Sequence, residues 1–336
     1  MRALITGGAG FIGTHLSHRL LASGHQVLSV DDLSTGDSGN VAELAREPGY
    51  EFVRGSVLDS TLMDDLVTEV DTVFHLAAAV GVQLILNRPF EGLRTNVQGT
   101  ETVLDCAYRR GARVLVASTS EVYGKSTATM LTEDADRVVG SPLITRWSYA
   151  EAKAMDETLT YLYWRERGVP TVITRLFNVA GPRQSGRYGM VVPRFVDQAL
   201  RNDPLTVFGD GRQTRCFCHV RDAVDGLAAL IEHPDAYGKV FNIGRPEEVT
   251  IRQLAERVIL LSGSASPIRH VSYHEAYGDG YEDMRRRVPD ISRAREMVGF
   301  KPKLGLDEII ESVLADRRAR VTELAPAHRE EVDYVR

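Results

Sequence analysis

The sequence predicts an α/β fold, a doubly wound parallel sheet with a smaller C-terminal domain. Three observations carry the prediction. Short β-branched or aliphatic runs alternate with longer helical patterns through the first half of the 336 residues, the signature of stacked βαβ units. Gly24, Gly111 and Gly168 stand where these helical patterns end, the position that takes a left-handed residue. After about residue 176 the pattern loosens into the Gly/Pro/Arg-rich segments GPRQSGRYGM and FGDGRQTR.

The predicted strands centre on Ala3-Leu4-Ile5, Val27-Leu28-Ser29-Val30, Val73-Phe74-His75-Leu76, Val114-Leu115-Val116-Ala117 and Val172-Ile173-Thr174. Helices are expected at 12–23, 94–110 and 148–167 between them. Further helices follow at 191–201, 220–232, 250–262 and 306–320, with one more strand at Phe241-Asn242-Ile243-Gly244. Residues 1–176 with about 217–243 form the first domain in this reading, and 177–216 with 244–320 the second. The charged, aperiodic residues 321–336 are expected to be a flexible tail.

Composition narrows the function. Hydrophobic residues make up 43% and charged residues 26%, as in a folded globular protein. Acidic residues outnumber basic ones 46 to 40, so there is no net positive charge for a sequence-blind grip on nucleic acid. No apolar run reaches the roughly 18 residues of a membrane span, and Met1 leads directly into a strand pattern, so a cytoplasmic protein is expected. The three cysteines, Cys106, Cys216 and Cys218, lack the paired spacing of a zinc site. No metal is expected. Cys216 and Cys218 read as two side chains on one face of a strand, and His75 and His219 as packing residues.

Strand, then Thr6-Gly7-Gly8-Ala9-Gly10-Phe11-Ile12-Gly13, then helix is the order that seats a pyrophosphate on a helix N-terminus. The alternative is a plain glycine turn. Asp31 ends the second strand, where a carboxylate accepts hydrogen bonds from ribose hydroxyls and repels a 2′-phosphate. Neither Asp32 nor Leu33 offers a guanidinium, which favours NAD over NADP; alternatively Asp31-Asp32 are ordinary turn residues.

Tyr149 and Lys153 lie four apart in a helical stretch and so share a face. Twelve tyrosines and five lysines in 336 residues give about 0.2 such pairs by chance. An ammonium beside the phenol is expected to lower its pKa and make it a usable base. Ser118-Thr119-Ser120-Glu121-Val122-Tyr123-Gly124 follows a buried strand at the end of the sheet where ligands bind. Its hydroxyls can orient a reacting alcohol, or it is simply a polar turn.

With these motifs in place, the chain resembles the extended short-chain dehydrogenases/reductases that act on sugar nucleotides, over nearly its whole length. GGAGFIG, HLAA at 75–78, TNVQGT at 95–100, STSEVYG, YAEAK, RLFNVAGPR at 175–183 and FGDGRQTRCF at 208–217 carry the likeness. Within that group it most resembles UDP-glucuronate decarboxylases, including UDP-xylose synthases. Thr119-Ser120-Glu121, Arg146-Trp147 before Tyr149, and Tyr281 followed by Arg287 in RRxP carry the narrower likeness. The resemblance implies a Rossmann domain holding NAD with Gly7, Gly10, Phe11, Ile12, Gly13, Asp31, Ser56, Val57, Leu76, Ala77, Asn96, Tyr149 and Lys153. Gly55-Ser56-Val57 departs from the GD that many relatives carry before the adenine-binding residue.

The resemblance further implies a UDP-sugar substrate bound by Arg146, Asn178, Arg194, Arg215, Tyr281 and Arg287 in a smaller C-terminal substrate-binding domain. Thr119, Ser120, Glu121, Tyr149, Lys153 and Arg287 would be catalytic. Oxidation at C4 gives a β-keto acid that loses carbon dioxide, leaving UDP-xylose or the UDP-4-keto-pentose. Arg287 is otherwise one charge of a solvated run, Arg194 a surface group, and Glu121 a structural acid. Helices 94–110 and 148–167 would pair in a homodimer, with Leu159, Leu162 and Trp164 as candidate contacts. The rivals are a 4-epimerase, which usually lacks an acid at Glu121, and a 4,6-dehydratase, which usually has Asp-Glu where Ser120-Glu121 stands. A non-catalytic NAD-binding module is the rival from another class; the presence of Thr119, Tyr149 and Lys153 speaks against it.

Overall fold

Within the first strand, Ala3 and Ile5 join one buried apolar cluster and Leu4 another, which requires a sheet covered on both faces. The computed structural model describes residues 1–81, 88–187, 189–277, 282 and 284–324, with side chains as far as 320. Among these, β1 (Arg2–Thr6), β2 (Gln26–Asp31), β3 (Tyr50–Arg54), β4 (Thr72–His75), β5 (Arg113–Thr119), β6 (Thr171–Leu176) and β7 (Lys239–Ile243) form one sheet. Every neighbouring pair is parallel, in the order β7-β6-β5-β4-β1-β2-β3. The order reverses between β1 and β4, which opens a crevice at their carboxyl ends.

The helices are α1 (Phe11–Leu21), α2 (Ser38–Leu44), α3 (Ser60–Thr68), α4 (Pro89–Arg110), α5 (Ser148–Arg167), α6 (Val191–Leu200), α7 (Val220–Glu232), α8 (Ile251–Ser262), α9 (Tyr273–Tyr277), α10 (Ser292–Val298) and α11 (Leu306–Leu324). Leu16 and Leu20 of α1 and Leu227 and Ile231 of α7 cover one face of the sheet. Met63 of α3, Leu104 of α4 and Tyr163 of α5 cover the other. A separate core joins Phe195 of α6, Leu254 and Val258 of α8, and Ile310 and Val313 of α11. No helix among the described residues is long and apolar enough to cross a membrane.

The expected elements all form, with shifted ends. Helix α1 stops at Leu21, and α4 starts five residues early at Pro89, because proline fits the first turn where its missing N–H is not needed. Three elements between β2 and β4 were not anticipated. Strand β3 is an edge strand with Glu51 and Arg54 exposed, so charges interrupt its apolar pattern. Helices α2 and α3 are short and begin at side-chain caps, Asp37 and Asp59. Helix α11 continues to Leu324, four residues into the expected tail. Residues 325–336 lie outside the described residues.

Cys216 and Cys218 do not share a strand. Cys216 ends Thr214–Cys216, antiparallel to Glu248–Thr250, whereas Cys218 pairs in parallel with Val179. All three cysteines are free and buried, and burial pushes the Cys216 thiol up to about 12. His219 caps α7 by accepting from the Arg221 amide at 3.0 Å.

Candidate active site

The glycine loop is built by close backbone packing. A Cβ on Gly13 would stand 2.3 Å from the Gly7 carbonyl oxygen, and one on Gly7, whose φ is +71°, would stand 2.8 Å from the Ala77 amide. Helix α1 begins at Gly10 without a side-chain cap, so its first amides point to an open anion site. Asp31 lies at the edge of this cradle, its two oxygens accepting from the Leu33 amide at 2.8 Å and the Ala9 amide at 3.1 Å. A carboxylate has further lone pairs beyond these two bonds. An uncapped helix start, a cradle any Cβ would fill and an acid beside it fit NAD, and Gly7, Gly10, Phe11, Ile12, Gly13 and Asp31 are the residues that lie at this cradle.

Three other sequence-predicted cofactor residues have jobs inside the protein. Asn96 is buried and its amide clamps the Ala79 backbone, donating to its carbonyl at 3.4 Å and accepting from its N–H at 2.8 Å. Ser56 accepts from the Leu58 amide at 3.3 Å, and Val57 is buried against Gly99. Leu76 and Ala77 leave the end of β4 half-buried beside Gly7.

Strand β5 ends at Thr119, whose hydroxyl accepts from the Glu121 amide at 3.2 Å and starts the single turn Ser120–Tyr123. That turn aims Glu121 at two guanidiniums. Arg146 donates to its Oε2 at 2.6 Å, and Arg287 Nη1 lies 3.7 Å from its Oε1. Burial alone would raise the Glu121 carboxyl, but the charges of Arg146 and Arg287, the Arg146 hydrogen bond and the charge of Arg215 together hold it below its ordinary value. Arg287 also donates to Ser120 Oγ at 3.3 Å and Asn178 Oδ1 at 3.4 Å. It is buried, which removes the reading of Arg287 as one of a solvated run.

An open cleft is lined by Glu121, Arg146, Tyr149, Asn178, Arg194, Arg215 and Arg287. Arg215 is held by the Thr214 and Met284 carbonyls at 2.7 and 2.8 Å. Arg194 donates to the Thr206 carbonyl at 2.9 Å and lies over the Phe208 ring at 4.3 Å, so it is not a plain surface group. Tyr281 lies outside the described residues. Sequence reasoning missed Phe208, Gln213 and Tyr273 in this wall. The first two flank the quoted GDGR motif; Tyr273, packed on Gly209, has no signal of its own.

Tyr149 and Lys153 lie on one face of α5, both buried. The expected lowering of the phenol pKa does not hold for the protein alone. Burial raises it first, and the carboxylates of Glu121 and Asp156 raise it further, with only Arg146 opposing them. Lys153 instead contacts Asp156 at 3.0 Å. A group of three or more metal-binding side chains does not occur among the described residues.

Comparison with known proteins agrees with this geometry. Residues 3–244 match the NAD dependent epimerase/dehydratase family. The chain is 42% identical over 315 residues to UDP-N-acetyl-alpha-D-glucosaminuronate decarboxylase of Bacillus cytotoxicus, covering 92% of this chain and 97% of that one. It is 39% identical over 321 residues to UDP-glucuronic acid decarboxylase 1 of Arabidopsis thaliana, covering 96% and 71%. Among solved structures, UDP-glucuronic acid 4-epimerase from Bacillus cereus in complex with UDP-glucuronic acid and NAD superposes with a TM-score of 0.86 at 29% identity, covering 95% and 100%. With its parallel sheet, its glycine cradle and Tyr149-Lys153 beside the cleft, this chain belongs to the NAD dependent epimerase/dehydratase family.

Proposed function

We propose that this protein is an NAD-dependent decarboxylase of UDP-glucuronate, producing UDP-xylose, the UDP-4-keto-pentose or both. The observation that carries the reading is the Glu121–Arg287 pair at 3.7 Å in the wall shared with Tyr149. An arginine there can hold a sugar carboxylate by charge-assisted hydrogen bonds, and an acid at 121 is what epimerases usually lack. The relatives named as UDP-glucuronic acid decarboxylases support the same reading. The 42% identity to a UDP-N-acetyl-glucosaminuronate decarboxylase makes that N-acetylated sugar acid the second candidate substrate.

When bound, NAD supplies the hydride acceptor and a cationic nicotinamide ring. Tyr149 takes the proton from the sugar 4-hydroxyl while Thr119 orients that hydroxyl. The resulting 4-keto acid carries its carboxylate β to the ketone, so the C5–C6 bond breaks, carbon dioxide leaves, and the electron pair moves onto the C4 oxygen. Tyr149 and Thr119 hold that enolate oxygen by hydrogen bonds. Glu121, whose carboxyl Arg146 and Arg287 hold below its ordinary value, orients Arg287, and a water supplies the proton that C5 of the enolate takes up to give the 4-keto-pentose. Arg194, Arg215, Arg146 and Asn178 receive the nucleotide and the sugar.

The division into domains at 1–176 with 217–243 and 177–216 with 244–320 is part of this reading; the separate core of α6, α8 and α11 supports it. So is a homodimer through α4 and α5, whose surfaces expose Phe90, Tyr108, Met155, Tyr161 and Trp164. Leu159 is partly buried against the core of its own chain. Free, buried cysteines suit a reducing cytoplasm.

The test is incubation with NAD and UDP-glucuronate, with UDP-N-acetylglucosaminuronate in parallel, following carbon dioxide and the sugar products by NMR. Carbon dioxide with a UDP-pentose or its 4-ketone is expected. UDP-galacturonate without carbon dioxide would make the protein an epimerase.

A further inference from the structure

Asp156 is completely buried two turns beyond Tyr149 on the same helix, 3.0 Å from the Lys153 ammonium. Neither of its oxygens has an aligned hydrogen bond. A buried carboxylate needs such partners, and here its charge is directed at Lys153 and Tyr149. The Thr100 hydroxyl faces it from α4. Thr100 in turn bonds His75 Nε2 at 3.0 Å, and His75 Nδ1 bonds Thr6 at 2.8 Å. Thr6 accepts from the Ala77 amide at 3.2 Å, in the strand exit that packs on Gly7. A continuous polar chain therefore runs from the cofactor cradle through the sheet to Lys153.

We propose that Asp156 is a positioning residue: it pins the Lys153 ammonium and, with Thr100 and His75 behind it, sets the pH at which Tyr149 ionises. The proposal rests on the reading of Tyr149 as the base. The charged groups that act on Tyr149 are Glu121 and Arg146 from the β5 exit and the turn before α5, and Asp156 from α5 itself; Lys153, one turn along the same helix, is held on Asp156. Those facing Asp156 are Lys153 and Glu157, with Thr100 as the uncharged polar partner. His75 is pushed down to about 3 by burial and then by the Lys153 charge, so it is neutral and relays hydrogen bonds without adding a charge. Among the described residues, the negative charges that raise the phenol are those of Glu121 and Asp156, and Asp156 is the one that also grips Lys153.

The Asp156→Asn variant keeps the shape and removes the charge. Thr100→Val removes the hydroxyl that supports the carboxylate and bonds His75, and makes Asp156 easier to protonate. With NAD bound and no sugar present, the tyrosine ring-carbon NMR signal of Tyr149, assigned by its loss in Tyr149→Phe, reports its ionisation directly. The midpoint should fall by about one pH unit in Asp156→Asn and by less, in the same direction, in Thr100→Val. The acid limb of the kcat/KM profile should move with it. Coinciding titrations in the wild type and both variants, in folded proteins with equal NAD affinity, would overturn the proposal. Because the titration needs no substrate, it stands even if UDP-glucuronate is not turned over, an outcome that would sink the substrate reading alone.

Discussion

Replacing Gly13 by alanine should separate cofactor binding from stability. Gly13 lies inside α1, where exchange of glycine for alanine ordinarily stabilises a helix by about 1 kcal/mol. Here the new Cβ would fall 2.3 Å from the Gly7 oxygen and 2.9 Å from Gly8 Cα, both backbone atoms. No rotamer relieves that, so the loop must retreat by at least 0.7 Å to reach the 3.0 Å below which real Cβ contacts do not go. Overpacking of this kind costs about 1–3 kcal/mol, so the net change in stability is small. The amides at the start of α1, however, move out of register with a pyrophosphate. Losing one or two charge-assisted hydrogen bonds of about 1.5–3 kcal/mol each weakens NAD binding at least about tenfold.

Gly111→Ala makes the converse control. Its φ is +73° and nothing lies within 4 Å of the new Cβ, so it should lose about 1 kcal/mol of stability through backbone strain and leave NAD affinity unchanged. Isothermal titration with NAD, together with thermal unfolding of each apo variant, reads both quantities. An NAD Kd for Gly13→Ala within threefold of the wild type would refute the argument that backbone approach at Gly7 and Gly13 builds the cradle.

Other outcomes follow from the same contacts. Glu157 takes two hydrogen bonds from Arg175, at 2.9 and 2.7 Å, and one from Ser118 at 2.5 Å, all buried; Glu157→Gln should cost about 3 kcal/mol in urea unfolding, because an unpaired guanidinium is left inside. Tyr149→Phe should lower kcat by about a hundredfold or more with NAD affinity retained, and a loss confined to KM would argue against its role as the base. The folded-state pKa of Glu121 lies below its ordinary 4.5, so its ion pairs stabilise the fold above that pH and stop doing so as pH falls through the lower, folded value. The stability gap between wild type and Glu121→Gln should therefore be widest near neutral pH and narrow below about 4.5, as denaturant midpoints across pH can show.

How much was legible depended on whether the signal was local. The parallel sheet could be read because strands buried on both faces are unbroken apolar runs, as Val114-Leu115-Val116 is. The cofactor loop could be read because its glycines are adjacent in the chain, and Tyr149 and Lys153 because a helix places residues four apart on one face. Strand β3 escaped because an edge strand keeps polar residues.

Only the tertiary structure decided the electrostatics. The spacing of Tyr149 and Lys153 implied a lowered phenol pKa, yet burial and the carboxylates of Glu121 and Asp156 raise it, because an ionisation equilibrium responds to every charge within a few ångströms. Arg287, implied to be catalytic by resemblance alone, could by its sequence have been one charge of a solvated run; its burial against Glu121, Ser120 and Asn178 follows from the Leu131–Val288 backbone bond, which ties its segment to the one after β5. The sequence by itself determined the sheet, the glycine cradle and the shared face of α5, since each is specified by neighbours in the chain. Which charges meet in the cleft, and hence how their ionisation shifts, was decided by contacts between separate segments, 25 residues apart for Glu121 and Arg146 and more than a hundred for Arg287.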